Sequence, residues 1–447
     1  MVVAISHNDI HKASVLDTMA VLRDVVLPTF GKGIFLRRPG VVSLATRLDL
    51  DAKAIRRLQK LREKYGSGPL LLAIPARWHA VLLDPADARA VLDGAPDPFS
   101  PATVEKTAAL AHFEPAVSLI SRGAQRQERR QFNETVLETG SPIHSMIHRF
   151  LEIVEAEANL LVPSHGRDLG WGQFSDVFQS AVRRIVLGDE ARDDRAITDA
   201  LAELRRAANW AFLRTRKTKL LTAFQQHLEM HLARAEQGSL AAKAARTPQT
   251  ADTRAVDQVT HWLFAFDAAA IATWRALALL AAHPDRLAQA EEAAREAGAP
   301  VNERLAPFRA AFMESVRLWP TTPAILRETT REIRWGSRTL PAGTSFLVFT
   351  PYFHRDDDRL PFANRFTPEI WSDGSRRDKW LLVPFSAGPA ICPGHNLVPL
   401  VGAALAHSLT RGRRISQVEP SALDRRRPMP ATLDHTSLRL SFGSRLP

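Results

Sequence analysis

The spacing of apolar positions divides the chain into a mixed first third, a helical middle, one long apolar segment and a last third where short strand-like runs alternate with turns. Ala52–Lys64 carries charged and apolar residues at helical spacing and predicts an amphipathic helix, closed by a Gly66-Ser67-Gly68 turn. Two apolar runs, Leu70–Ile74 and His79–Leu83, are parted by Pro75 and Arg77 and predict a hairpin. Asp84-Pro85 predicts the opening of a short helix through Leu92. Helical spacing dominates from Ala124 to about Leu187 and again over Asp199–Glu236. Gly238–Thr253 is small, polar and basic, contains Pro248, and is expected to be a linker or mobile loop.

The segment from Ala255 to Ala282 is apolar almost throughout and ends at His283-Pro284. At ~1.5 Å per residue it would cross most of the molecule's width. It holds no glycine, and His261, Asp267 and Arg275 interrupt it, which favours a buried central helix over a membrane span. A second helix is expected over Leu305–Leu318, with Pro307 tolerated in its first turn and Trp319-Pro320 as its stop. Ile325–Ile333 and Ser345–Thr350 are strand-like. The stretch from Pro351 to Ala390 is rich in Pro, Asp and Arg and is expected to be coil, and a last helix is expected over Gly394–Leu409. The expected fold class is mainly α with minor β (α+β).

Composition adds bounds. The chain has 447 residues, 45% hydrophobic and 24% charged, a balance ordinary for a soluble globular protein. The stretch from Met1 to Phe35 has no apolar run near the ~20 residues that span a bilayer and no signal-peptide pattern, so a cytoplasmic protein without a membrane anchor is expected. The net charge of +11 fits nucleic acid, an acidic membrane, an acidic protein partner or a bound polyanion. The arginines stand in scattered pairs (Arg129-Arg130, Arg205-Arg206, Arg376-Arg377, Arg413-Arg414), and one cysteine excludes zinc-finger spacing, so no nucleic-acid partner is expected. That single cysteine also excludes an intrachain disulfide. It leaves a buried bystander, a nucleophile or a lone thiolate ligand.

The residues around Cys392 narrow the choice. In Phe385-Ser386-Ala387-Gly388-Pro389-Ala390-Ile391-Cys392-Pro393-Gly394, Gly388 and Gly394 allow close backbone approach and positive φ, and Pro393 stiffens the turn. A helix just beyond would stabilise a thiolate with its N-terminal dipole. This stretch resembles the haem-binding loop of the cytochromes P-450, Phe-x-x-Gly-x-(Arg/His)-x-Cys-x-Gly, and Phe385, Gly388, Cys392 and Gly394 match it. Ala390 departs from it, standing where the family places a basic residue against a haem propionate. A second resemblance is Glu314-x-x-Arg317, three apart on one face of a helix. Alone such a pair is commonly a solvated surface pair, but the family places it in this order ahead of the cysteine loop. The family closes the triad with an arginine before an aromatic, and Asn364-Arg365-Phe366 fits that place, so the resemblance gives Arg365 the structural role of pinning the coil.

By the same resemblance, Gln125-x-x-x-Arg129-Arg130 and Pro323-Ala324-Ile325-Leu326-Arg327 supply propionate ligands, with Arg129 and Arg327 as the cations and Gln125 in place of the usual His or Trp. Phe264-Ala265-Phe266-Asp267-Ala268 aligns with the family's Ala/Gly-Gly-x-Asp/Glu-Thr. The acid survives as Asp267, but Ala268 stands where a threonine normally orders the water that delivers protons. Taken together, the resemblance covers the chain from about Arg56 onward. It implies a domain over residues 51–447 with an N-terminal extension, 1–50, packed on it, and a b-type haem between the long helix and the cysteine loop with Cys392 on the iron. It implies oxygen insertion into a small or mid-sized apolar organic substrate, with electrons from a ferredoxin or flavodoxin and its reductase, in a monomer. The distal pocket is expected to draw on Asp93–Leu119, Leu201–Leu221 and Phe264–Ala268. Ala268 also admits a peroxide-driven oxygenase or a non-redox haem-thiolate isomerase or dehydratase; a haem-binding sensor is a further class.

Overall fold

The computed structural model describes residues 9–162, 167–296, 298–372, 381–419 and 423–444. The Arg376-Arg377 pair lies outside them. The chain divides into two compact units.

The first unit comprises residues 1–107, 316–392 and 430–433. Its centre is a six-stranded sheet in the order His11–Lys12, Leu70–Leu71, His79–Val81, Ser345–Phe349, Ala324–Thr329, Phe99–Ser100. The expected hairpin is there, with Leu70 opposite Val81 in an antiparallel pair. The helix Leu50–Tyr65 follows the amphipathic pattern and turns Ile55, Leu58 and Leu61 into the core beside the sheet residues Val81, Phe346 and Val348. Ile10, Val21 and Val25 lie in the same core, so the N-terminal stretch adds an edge strand and apolar side chains to the unit. Within that stretch Arg37 donates to the carbonyls of Gly33 and Thr321, and Pro39 opens a helix through Arg47.

The second unit is helical, with the three-stranded sheet Arg413–Glu419, Arg439–Ser444, Arg167–Gly170 beside the helices. The long helix runs Ala255–Ala282, as the sequence predicts, and is buried over most of its length. Among the described residues it alone is long and apolar enough to cross a membrane, and its burial is that of a core helix. The helix Leu397–Thr410 packs on it closely at Gly402, where a Cβ would come within 2.6 Å of the Thr273 hydroxyl and 2.7 Å of the Phe312 ring.

Four expectations are corrected. Gly238–Thr253 is no free linker: Leu240–Arg246 is a helix capped by Ser239, with Leu240, Ala241, Ala242 and Ala244 buried. Its residues are small because they pack. The Asp199–Glu236 pattern is two helices, Arg195–Ala208 and Thr218–Arg234. The break contains exposed Trp210, Phe212 and Leu213, which have no core face to bury. The stretch after Pro351 begins as a helix, Thr350–Arg355, because a proline is compatible with a first helical turn. The last regular helix begins at Leu397 rather than Gly394, with Pro393–Asn396 in turn conformation.

Candidate active site

Cys392 ends a loop whose backbone is fixed by its own hydrogen bonds. Its N–H donates to the Phe385 carbonyl at 2.9 Å, the Ile391 N–H to Gly388 at 3.0 Å and the Ser386 N–H to Val383 at 3.0 Å. Gly388 has φ +65°, and a Cβ there would lie 2.4 Å from the Leu92 carbonyl oxygen, so only glycine fits. The other positive φ in this loop falls on Ser386, at 63°, and not on Gly394 as the sequence suggested. A left-handed serine stores strain that its surroundings must hold. Arg327, 2% exposed on the Ala324–Thr329 strand, does so by donating to the Ser386 hydroxyl at 3.0 Å. From Pro384 through Pro393 no residue is buried, although Leu381–Val383 before them are, so the cysteine thiol sits on an accessible face.

The chain before the loop is anchored from beneath. Glu314 and Arg317 are both fully buried on the helix Ala306–Leu318, which removes the solvated-pair reading. Arg317 donates to four carbonyls: His354 (2.9 Å), Ala363 (3.0 Å), Phe362 (3.4 Å) and Arg365 (2.7 Å). Arg365 itself is exposed and takes part through its carbonyl, not its guanidinium. The role given to its side chain is therefore corrected. The next residue, Phe366, takes the inward position. A different guanidinium is buried here: Arg355, 2% exposed, donates to the Asn364 side chain and to the carbonyls of Leu318 and Pro430.

His354 completes the support. Its Nε2 accepts the Val383 N–H at 2.9 Å, two residues before Phe385, and it is fully buried. Burial, reinforced by the neighbouring Arg317, depresses its pKa to about 3. A depressed histidine contributes stability that is complete above its unfolded pKa of ~6.5 and is lost as pH falls from there toward 3. Each such proton corresponds to a slope of ~1.4 kcal/mol per pH unit. The pH dependence of melting between 6.5 and 4 should therefore lose about one proton's worth of slope in His354→Gln, whose side-chain oxygen can still accept from Val383. An unchanged slope would show that His354 does not govern acid sensitivity.

Ala390 leaves the loop without a cation, but the same unit supplies one that sequence reasoning missed. Lys106 donates to the carbonyls of Pro101 and Leu326, adjacent in sequence to Arg327. Burial, and then the charge of Arg327, push its ammonium well below its ordinary pKa. Two cations this close suit an anion between them. In the second unit Arg129, 7% exposed on the helix Gly123–Val136, donates to the Asp252 carbonyl and the Ser121 hydroxyl, each at 2.7 Å. Gln125 reaches the Asp252 carboxylate at 3.1 Å. Both tie this helix to the stretch before the long one.

The long helix has one accessible stripe. His261, Phe264, Ala265, Ala268 and Ile271 are partly exposed at spacings of three and four, while Trp262, Leu263, Phe266, Ala269 and Ala270 are buried. Asp267 flanks the stripe, and both its oxygens are engaged. Gln179 donates to Oδ1 at 3.2 Å and Arg205 forms an ion pair with Oδ2. Arg205 also lies over the Phe264 ring. One turn earlier, His261 Nδ1 meets the fully buried Glu114 at 2.9 Å. Burial raises Glu114, and the Glu114 carboxylate holds His261 above its usual pKa despite burial, so the pair retains a proton that an isolated histidine would release. Nothing in the sequence joins residues so far apart.

The model for the family described as Cytochrome P450 matches residues 171–400, just over half of the chain. The chain belongs to the cytochrome P450 family. The matched span holds Asp267, Ala268, Glu314, Arg317, Arg327, Arg365 and the whole cysteine loop, and leaves Gln125 and Arg129 outside. Among curated P450 relatives, the cyclooctat-9-en-7-ol 5-monooxygenase of Streptomyces melanosporofaciens is 30% identical over 181 residues, 38% of this chain and 39% of that protein. A probable cytochrome P450 4d20 of Drosophila melanogaster is 33% identical over 122 residues, 26% of this chain and 24% of that one. The chain thus aligns with well under half the length of these relatives. Solved structures share the P450 fold over far more of it. The haem domain of cytochrome P450DA superposes with a TM-score of 0.67 at 15% identity, covering 88% of this chain and 93% of the other. The retinoic acid-bound cyanobacterial CYP120A1 gives 0.67 at 15% identity, covering 86% and 93%.

Proposed function

We propose that this P450 is a haem-thiolate oxygenase that inserts one oxygen atom into an apolar organic substrate, with Cys392 as the ligand of a b-type haem. The observation that carries the reading is the cysteine loop: an accessible thiol on a backbone locked by Gly388, Arg327, His354 and Arg317. The donor set fits haem, since Lys106 and Arg327 both donate to the Leu326 carbonyl and offer two neighbouring cations to a propionate, and Arg129 is a further candidate. Haem supplies, when bound, an iron centre whose thiolate ligand favours oxygen activation.

The remaining roles belong to the chain. The Phe264–Ala268 stripe offers an apolar wall for the substrate. Arg205 and Gln179 hold Asp267, so this acid is a positioning group for the Arg195–Ala208 helix as well as a proton-relay candidate. The charge of +11 favours an acidic ferredoxin or flavodoxin as electron donor. A monomeric cytoplasmic protein is the matching setting. Asp267's engagement beside Ala268 favours one second reading, a peroxide-driven oxygenase that has no need of a water-ordering hydroxyl.

Ala268→Thr separates the two. A positioned proton donor changes rates by roughly 10²–10⁴-fold. In a reductant-driven enzyme the new hydroxyl should raise product formed per reductant oxidised on generic apolar substrates and lower the peroxide released. Tight coupling in the unmodified enzyme, unchanged by the substitution, would place the relay on another residue. Turnover with peroxide alone, indifferent to Ala268→Thr, would favour the second reading.

A further inference from the structure

A second constellation of ligating side chains lies in the helical unit, apart from the cysteine loop. His227 and His231 are four apart on the helix Thr218–Arg234, so both rings leave one face. Their Nε2 atoms converge on a single carboxylate oxygen, Asp194 Oδ2, at 2.8 Å and 2.9 Å. Asp194 immediately precedes the helix Arg195–Ala208.

We propose that Asp194, His227 and His231 form a binding site for one borderline divalent cation, with zinc the first candidate. Two imidazoles and a carboxylate suit such an ion. Ligands about 2.05 Å from a metal lie about 2.9 Å apart at a right angle and about 3.3 Å apart at the tetrahedral angle. The observed spacings match the first arrangement and reach the second by a few tenths of an ångström. The donors are also pre-placed. Arg183, 2% exposed, donates to the carbonyls of Ala191 and Arg192 and to the Thr198 hydroxyl, fixing the segment that carries Asp194 from both sides. His231 is held by burial at 6% exposure, whereas the His227 side chain is 32% exposed and leaves a path for the ion and its waters.

Charge permits the ion. The Asp194 carboxylate, the shared partner of both imidazoles, supplies a negative charge at the point where they converge. Of the neighbouring arginines, Arg192 is paired with Asp193 at 2.8 Å and Arg195 with Asp176 at 3.6 Å, which blunts their opposition to a cation. His231 Nδ1 meets no hydrogen-bond acceptor, so no outer partner strengthens this ligand. Affinity is therefore expected in the micromolar range, weaker than in a structural zinc site. Binding would tie the Thr218–Arg234 helix to the start of Arg195–Ala208, the helix that carries Arg205.

The test is calorimetric titration of Zn²⁺ into chelator-treated holoprotein, which keeps Cys392 occupied by haem. One equivalent should bind and raise the melting temperature. His227→Gln, at a part-exposed position that should not disturb folding, and Asp194→Asn should each weaken that binding at least tenfold, with the ferrous carbonyl spectrum unchanged. Absence of saturable binding at about 1 mM Zn²⁺, or equal affinity in His227→Gln, would overturn the assignment.

Discussion

Cys392→Ser should give a folded chain whose ferrous carbonyl complex lacks the red-shifted Soret band that a thiolate ligand produces. Serine is nearly isosteric, and the contact that closes the loop uses the Cys392 backbone N–H, which the substitution leaves in place. The chemical change is therefore confined to one atom. Oxygen insertion should fall to background with the band, because the electron density that favours O–O cleavage comes from the thiolate. The measurement is the reduced-plus-carbon monoxide difference spectrum at matched haem content. A serine variant that kept the band would remove Cys392 as the ligand and with it the proposed chemistry.

The second large effect is on folding. Arg317→Ala removes the donor for four carbonyls and leaves Glu314 buried one turn away. Breaking a buried charged cluster by deleting one partner costs roughly 3–5 kcal/mol, a large part of a typical domain's stability. Little soluble holoprotein is expected. Lysine should not rescue it, since an ammonium lacks the planar fork that spans several acceptors. Arg355→Ala should behave in the same way. Arg365→Ala should stay within about 0.5 kcal/mol, as exposed positions do. Haem content and melting temperature across the three alanine variants give the reading. A damaging Arg365→Ala beside a tolerated Arg355→Ala would reinstate Arg365 as the third member of the cluster.

Those variants also mark where local pattern stops being informative. By itself the sequence determined the bounds of the long helix, because a long and mostly apolar run, broken only by a few polar residues and ended by His283-Pro284, buries best as one core helix. The hairpin Leu70–Val81 and the cysteine loop were equally legible, since alternation, proline and glycine act on the backbone directly. The Glu314-x-x-Arg317 spacing is enough to put both side chains on one face of a helix, because residues three apart are neighbours on its surface.

Tertiary structure decided what each side chain touches. Arg355 and Arg365 are both arginines in a stretch whose composition reads as coil, and only packing puts one inside and one in water. Gly238–Thr253 read as a linker because small residues serve equally for flexibility and for close packing, and burial chose the second. The pairs Glu114–His261, Arg205–Asp267 and Asp194–His231 join positions 147, 62 and 37 residues apart. No periodicity carries that information, since these contacts arise from how whole helices pack against one another. The depressed pKa of His354 has the same origin. A histidine in the sequence is an ordinary titrating group, and it becomes a neutral acceptor for the Val383 amide only when the fold excludes water around it.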